Sequence, residues 1–186
     1  MTAPTVDIPN YVAGSWTIDP VHSTVGLLAR HMMVSKVRGK FNTFEGRLVT
    51  AADPLASTVT ATIDLRSIDT GNAQRDDHIR SADFFEVDQH PTMTYTSTGI
   101  RRDGGDLILH GDLTIKGVTK RVPLALEVEG FGPDAYGGTR AGFSAKGEIN
   151  RKDFGVNFHA VMESGGVVVS DKITIELDVE AVLDAS

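Results

Sequence analysis

The chain has 186 residues, a net charge of −7 and no cysteine. Its length suits one domain, and about 70% of the unfolded surface would go inside on folding, so a sizeable core is within reach. A composition of 40% hydrophobic and 23% charged residues excludes a disordered chain. Basic runs no longer than pairs such as Arg101-Arg102 argue against nucleic-acid binding and against attraction to anionic membrane surfaces, and the missing cysteines exclude disulfides, thiolate nucleophiles and iron–sulfur clusters.

Residues 1–13 contain Pro4 and Pro9 and show no periodicity. They read as an N-terminal tail that contributes little to the fold, with residues 14–186 forming a single domain. The start has no basic n-region and no apolar h-region, and no apolar run approaches 18 residues. A cytoplasmic protein without a membrane span is the expectation.

From residue 14 on, short apolar segments alternate with turn signals. Strands are expected at 21–31 and 44–50. In 58–65, Val59, Ala61, Ile63 and Leu65 alternate with Thr58, Thr60, Thr62 and Asp64, the period-two pattern of a half-buried strand. The segment 72–85, NAQRDDHIRSADFF, breaks the pattern. Asn72 suits a helix N-cap and Asp76 and Asp77 suit the first turn, so one short helix is expected there. Phe84 and Phe85 then bring aromatic bulk to line or plug an interior, or merely fill a core under a loop.

Strands resume at 92–100 and 106–115, separated by Asp103-Gly104-Gly105. Lys116-Gly117 stands at hairpin spacing before 121–129, where Val122, Leu124, Leu126 and Val128 recur. Gly137-Gly138 precedes 143–150, and 173–181 closes the series with Ile173, Ile175, Leu177, Val179 and Ala181 on one face. Eight strands with hairpin connections point to an all-β fold, an antiparallel sandwich or barrel, and exclude a parallel α/β sheet. A barrel of eight is either filled by its own side chains or wide enough for one small ligand.

No motif carries chemistry. The six histidines, His22, His31, His78, His90, His110 and His159, have no metal-binding spacing. His31 is in phase with Val25, Leu27 and Ala29 and is expected to point inward. No nucleophile elbow, phosphate loop or dinucleotide fingerprint occurs.

Eight segments occur in a telling order: IDPVHS (18–23), the strand to His31, KVRGKFNTFEG (36–46), SIDTGN (67–72), RDDHIRSADFF (75–85), GDLTIKGVTK (111–120), INRKDFG (149–155) and VSDKITI (169–175). Together they resemble the YceI family of polyisoprenoid-binding, lipocalin-like bacterial proteins over about residues 16–180. The resemblance implies an extended eight-stranded antiparallel β-barrel with one short helix. It also implies an apolar pore holding an isoprenoid chain such as a polyprenyl lipid or quinone tail, no cofactor, no metal and no catalytic constellation. A homodimer is compatible with it. Many members are exported and no leader is visible here, and His90 stands where an aromatic residue is frequent, at one end of the pore.

The expected pore residues are Val25, Leu27, Ile63, Phe84, Phe85, Leu109, Leu113, Phe143 and Val179. They occupy the apolar phase, and the opposite phase carries groups that are costly to aim into an apolar lumen. Two other readings stand beside a lipid carrier, reservoir or sensor. One is a packed barrel acting as an interaction module. The other is a lipid-modifying enzyme with candidates among Arg75, Asp76, His78 and His90.

Overall fold

Period-two segments linked by tight turns pair with their neighbours, and here they pair all the way round. The computed structural model describes residues 6–158 and 169–185. Its strands are β1 (Gly14–Ile18), β2 (Thr24–His31), β3 (Ser35–Phe41), β4 (Phe44–Thr50), β5 (Thr58–Asp64) and β6 (Ile68–Asp69). After the helix α1 (Ala73–Arg80) come β7 (Thr92–Asp103), β8 (Asp106–Ile115), β9 (Val118–Pro133), β10 (Thr139–Asn150) and β11 (Lys172–Leu183).

Antiparallel pairing runs β1–β4–β5–β7–β8–β9–β10–β11, and β1 closes the ring on β11 through Trp16↔Leu183 and Ile18↔Ala181. This is the expected closed eight-stranded barrel. A second branch leaves the same edge of β11. There β2 pairs with Thr174–Asp178, β3 pairs with β2, and β6 pairs with β3 at Lys40↔Asp69 and Phe41↔Ile68. Three of the eight positions around the ring are therefore broken strands, β1 with β2, β4 with β3, and β5 with β6. Toward one end the sheet is fully paired. Toward the other, among the described residues, β6 has no ladder to β7, and the chain from α1 to Pro91 occupies that place; Leu65 N donates to Pro91 O at 2.9 Å.

Each of the eight expected strands is found, several longer than expected: β9 reaches Pro133 and β10 begins at Thr139. Three strands lie outside the expectation, β1, β3 and the two-residue β6. β1 is only five residues long and follows the irregular tail, so it offers little alternation. β3 alternates Lys36, Arg38 and Lys40 against Val37, Gly39 and Phe41, and the glycine thins its apolar face.

Local chemistry explains the turns. Asn72 caps α1 by accepting a hydrogen bond from Arg75 N at 3.0 Å. Lys116 and Gly117 both take positive φ in the two-residue β8–β9 connection, the geometry that matches strand twist. Asp134 holds the β9–β10 turn by accepting from Tyr136 N and Gly138 N, both at 2.8 Å. Gly111 serves close packing: a Cβ there would lie 2.3 Å from the Tyr95 ring. The Tyr95 hydroxyl donates to Val122 O at 3.0 Å, and burial pushes its phenol up to about 12.

The tail is more engaged than its lack of alternation suggests. Ile8, Tyr11 and Val12 pack on the fully paired end beside Trp16 and Phe131. The Tyr11 hydroxyl donates to Ala51 O at 2.6 Å, and its ring meets Phe131 edge-on at 5.2 Å between centroids.

Candidate functional site

Inward-facing residues of the strands do not fill the barrel. They enclose a cavity of about 820 Å³, inside the 300–1,000 Å³ range typical of small-molecule sites. Its wall is almost wholly aliphatic and aromatic. Along β11 the lining residues are Ile173, Ile175, Leu177 and Val179, one per two positions as a pleated strand requires. Along β8 they run from Leu107 to Ile115, a span of about 26 Å at roughly 3.3 Å per residue. The space is therefore long as well as apolar, extending from Ile8 and Tyr11 at the fully paired end to α1 at the other.

All nine residues expected to face inward, Val25, Leu27, Ile63, Phe84, Phe85, Leu109, Leu113, Phe143 and Val179, border this cavity, and so does His31. Phe84 and Phe85 reach it because α1 stops at Arg80. Ser81 caps the helix, its hydroxyl donating to His78 O at 2.6 Å, and the chain then folds back, Phe85 N donating to Ile79 O at 3.0 Å. Phe85 tilts against Phe41, and Phe84 meets His78 edge-on and tilts against Phe158.

The four residues considered for catalysis divide. Arg75 and His78 border the cavity; Asp76 and His90 do not. Asp76 is buried and accepts from Thr70 N at 2.9 Å and Thr70 Oγ1 at 2.6 Å, so it anchors α1 to the residue that follows β6 in addition to its place in the first helical turn. Arg75 Nε reaches Thr70 Oγ1 at 2.7 Å and Nη2 donates to Thr70 O at 2.7 Å. His78 Nε2 pairs with Asp83 Oδ2 at 2.8 Å, and among the described residues no hydroxyl is hydrogen-bonded to its ring. His90 sits against the Lys116-Gly117 turn, its ring 3.8 Å from where a Gly117 Cβ would be, and lies off the cavity wall.

Two charged sites lie around the barrel. Arg151 is buried and donates to the carbonyls of Val156 at 2.8 Å and Ser170 at 3.0 Å, binding the segment after β10 to the start of β11. Nothing in its sequence neighbours announces this. Asp19, His22 and Glu180 bring three possible metal-ligand atoms within 4.8 Å of one another. The Arg140 guanidinium already lies 2.8 Å from Asp19 Oδ2 and 2.7 Å from Glu180 Oε2, which supplies the charge a cation would bring.

A YceI-like domain model matches residues 16–181. The chain belongs to the YceI family. Protein YceI of Escherichia coli O17:K52:H18 is 43% identical over 148 residues, 78% of each chain. Among solved structures, a Campylobacter jejuni YCEI protein is similar with a TM-score of 0.72 at 29% identity, over 84% of this chain and 90% of that one. Burkholderia cenocepacia BcnA has a TM-score of 0.77 at 24% identity, over 88% and 98%. A polyisoprenoid binding domain from Saccharophagus degradans has a TM-score of 0.66 at 16% identity, over 93% and 100%. These last two likenesses concern the fold. The YceI segments 75–85 and 149–155 thus have structural explanations here: the first carries the His78–Asp83 pair and the Arg80 bond to Ile68 O, the second carries Arg151. No described helix is long and apolar enough to cross a membrane.

Proposed function

We propose that this protein binds a long apolar lipid of the isoprenoid type, a polyprenyl lipid or a quinone tail, and serves as its carrier, reservoir or sensor rather than transforming it. The observation that carries the reading is the elongated cavity of about 820 Å³ with an aliphatic and aromatic wall. A barrel filled by its own side chains does not describe this interior. The similarity of fold to a protein named for polyisoprenoid binding supports the same ligand class.

Each buried CH₂ contributes roughly 0.8 kcal/mol, so one five-carbon unit gains up to about 4 kcal/mol before ordering costs. Affinity then comes from the tail along Val25, Leu27, Ile63, Leu109, Leu113, Phe143 and Val179, with Phe84 and Phe85 at the helical end. Native mass spectrometry and organic extraction of the purified protein are expected to show a bound lipid with an isoprenoid fragmentation pattern. A protein that carries no lipid and takes up none from added polyprenol overturns the reading. Chemical change in the extracted lipid on incubation moves the protein to the enzyme class.

A further inference from the structure

At the end of the barrel where α1 lies, the loop joining β2 to β3 departs from local stability in three ways at once. Met33 and Val34 are 52% and 81% exposed, and Met32 is exposed beside them. Met32 and Met33 both take left-handed φ, 51° and 62°, where a side chain with a Cβ costs free energy and Asn or Gly is the usual occupant. Directly below the loop, Arg30 and Lys36 face each other across the ladder, a like-charge pairing that destabilises a sheet.

The charge on this hairpin itself is one-sided. Residues 24–41 contain Arg30, Lys36, Arg38 and Lys40 and no Asp or Glu, in a chain whose net charge is −7. All four cations are exposed. Arg38 pairs with Glu176 at 3.0 Å, whereas among the described residues neither Arg30 nor Lys36 has a carboxylate partner. Only pairs of basic residues are visible along the chain; the hairpin register brings Arg30 and Lys36 face to face, with Arg38 next along β3.

We propose that the tip of the β2–β3 hairpin docks on an anionic lipid bilayer. Three apolar side chains at the point of a turn, flanked by Arg30 and Lys36, match the two layers of such a surface: the methionines and Val34 enter the acyl boundary, and the two cations meet lipid phosphates. The tip is too small for a stable protein interface, which buries about 800 Å² per partner. Its position is continuous with the cavity, because Arg30 and His31 border that space from the hairpin, as the exposed Asn72 and Gln74 do from the helical side. The docking itself rests on this surface alone; its use as the place where lipid enters or leaves rests on the lipid-binding reading above.

The test is flotation of the full chain with vesicles of phosphatidylcholine, alone or mixed with phosphatidylglycerol. Binding is expected to the mixed vesicles only, and to fall as salt rises. Met33→Asp and Lys36→Glu are each expected to lower the partition by about fivefold or more, from roughly one charge's worth of surface attraction. Aspartate tolerates left-handed φ, so the turn itself is preserved. Val21→Asp, at an equally exposed apolar site elsewhere, is expected to bind as the parent does. A parent protein that stays off the mixed vesicles at low salt, or variants at Met33 and Lys36 that bind like the parent, overturns the proposal. Lipid retained in the barrel of a variant that has lost vesicle binding keeps the docking proposal separate from the cavity's ligand.

Discussion

The two ends of the barrel use the same kind of residue differently. At the fully paired end, Trp16 is 1% exposed, meets Phe131 edge-on at 5.5 Å and donates to Thr50 Oγ1 at 2.8 Å, and Ala141 and Ala181 let the strands close tightly around it. At the other end the sheet splits. Its interior is covered by α1, by Phe84 and Phe85, and by Arg151-bound chain, held by hydrogen bonds to carbonyls and hydroxyls rather than by ladder pairing. Side chains that interdigitate stabilise a barrel, and side chains that only line it leave space. The contrast explains how one ring can be rigid at one end and hollow beyond it.

The sharpest way to break the contrast is to hollow the packed end. Trp16→Ala removes a buried ring together with its partner for Thr50, and should cost about 3–5 kcal/mol in urea denaturation. Tyr11→Ala, which strips the tail's ring and its bond to Ala51 from the same cluster, should cost about 2 kcal/mol. A Tyr11 variant as stable as the parent would show that the tail rests on the barrel without supporting it.

The hollow region should respond in the opposite sense. Ala145 borders the cavity, and Ala145→Phe places a ring in empty space. Its denaturation midpoint should stay near the parent's while lipid co-purification is lost. Overpacking would instead cost roughly 1–3 kcal/mol, and a loss of that size would mean that the space at Ala145 is already filled.

Much of this was legible because the pleat is a strict rule. Once Ile63, Leu109 or Val179 is placed on the apolar phase of a strand, its side of the sheet is settled, and all nine inward residues do border the cavity. The short helix was equally legible, since Asn72 caps it as its side chain chemistry requires. What alternation could not show is the break between β1 and β2, or between β3 and β4, because a strand that changes partner midway keeps its period. Nor could it show Arg151, whose partners are carbonyls on segments 5 to 19 residues away and the Asp171 carboxylate, or that Tyr11 would find Phe131 across the barrel mouth. Such contacts depend on closure, which is a property of the whole sheet.

The smallest expected effect lies on the barrel wall near the packed end, and it depends on pH. The Asp19 carboxyl is held well below the usual carboxylate range, first by its hydrogen bond to the His22 ring and next by the Arg140 guanidinium. A carboxyl whose folded pKa is lowered stabilises the fold at pH values above its unfolded pKa, near 4, and that contribution is lost as pH falls through the folded value. Asp134, lowered chiefly by the N–H groups of Tyr136 and Gly138 and further by Arg140, acts in the same direction. Arg140→Gln should therefore lower the denaturation midpoint at neutral pH, and the gap to the parent should narrow as the solution is taken below the ordinary carboxylate range. Asp69 supplies the internal comparison. Its carboxyl is lowered chiefly by Gly71 N–H, then by the Asn42 amide, neither of which Arg140 touches, so acid should still weaken the variant through that site. A gap that stays constant down to acid pH would assign Arg140's contribution to the packing of its aliphatic stem rather than to its charge.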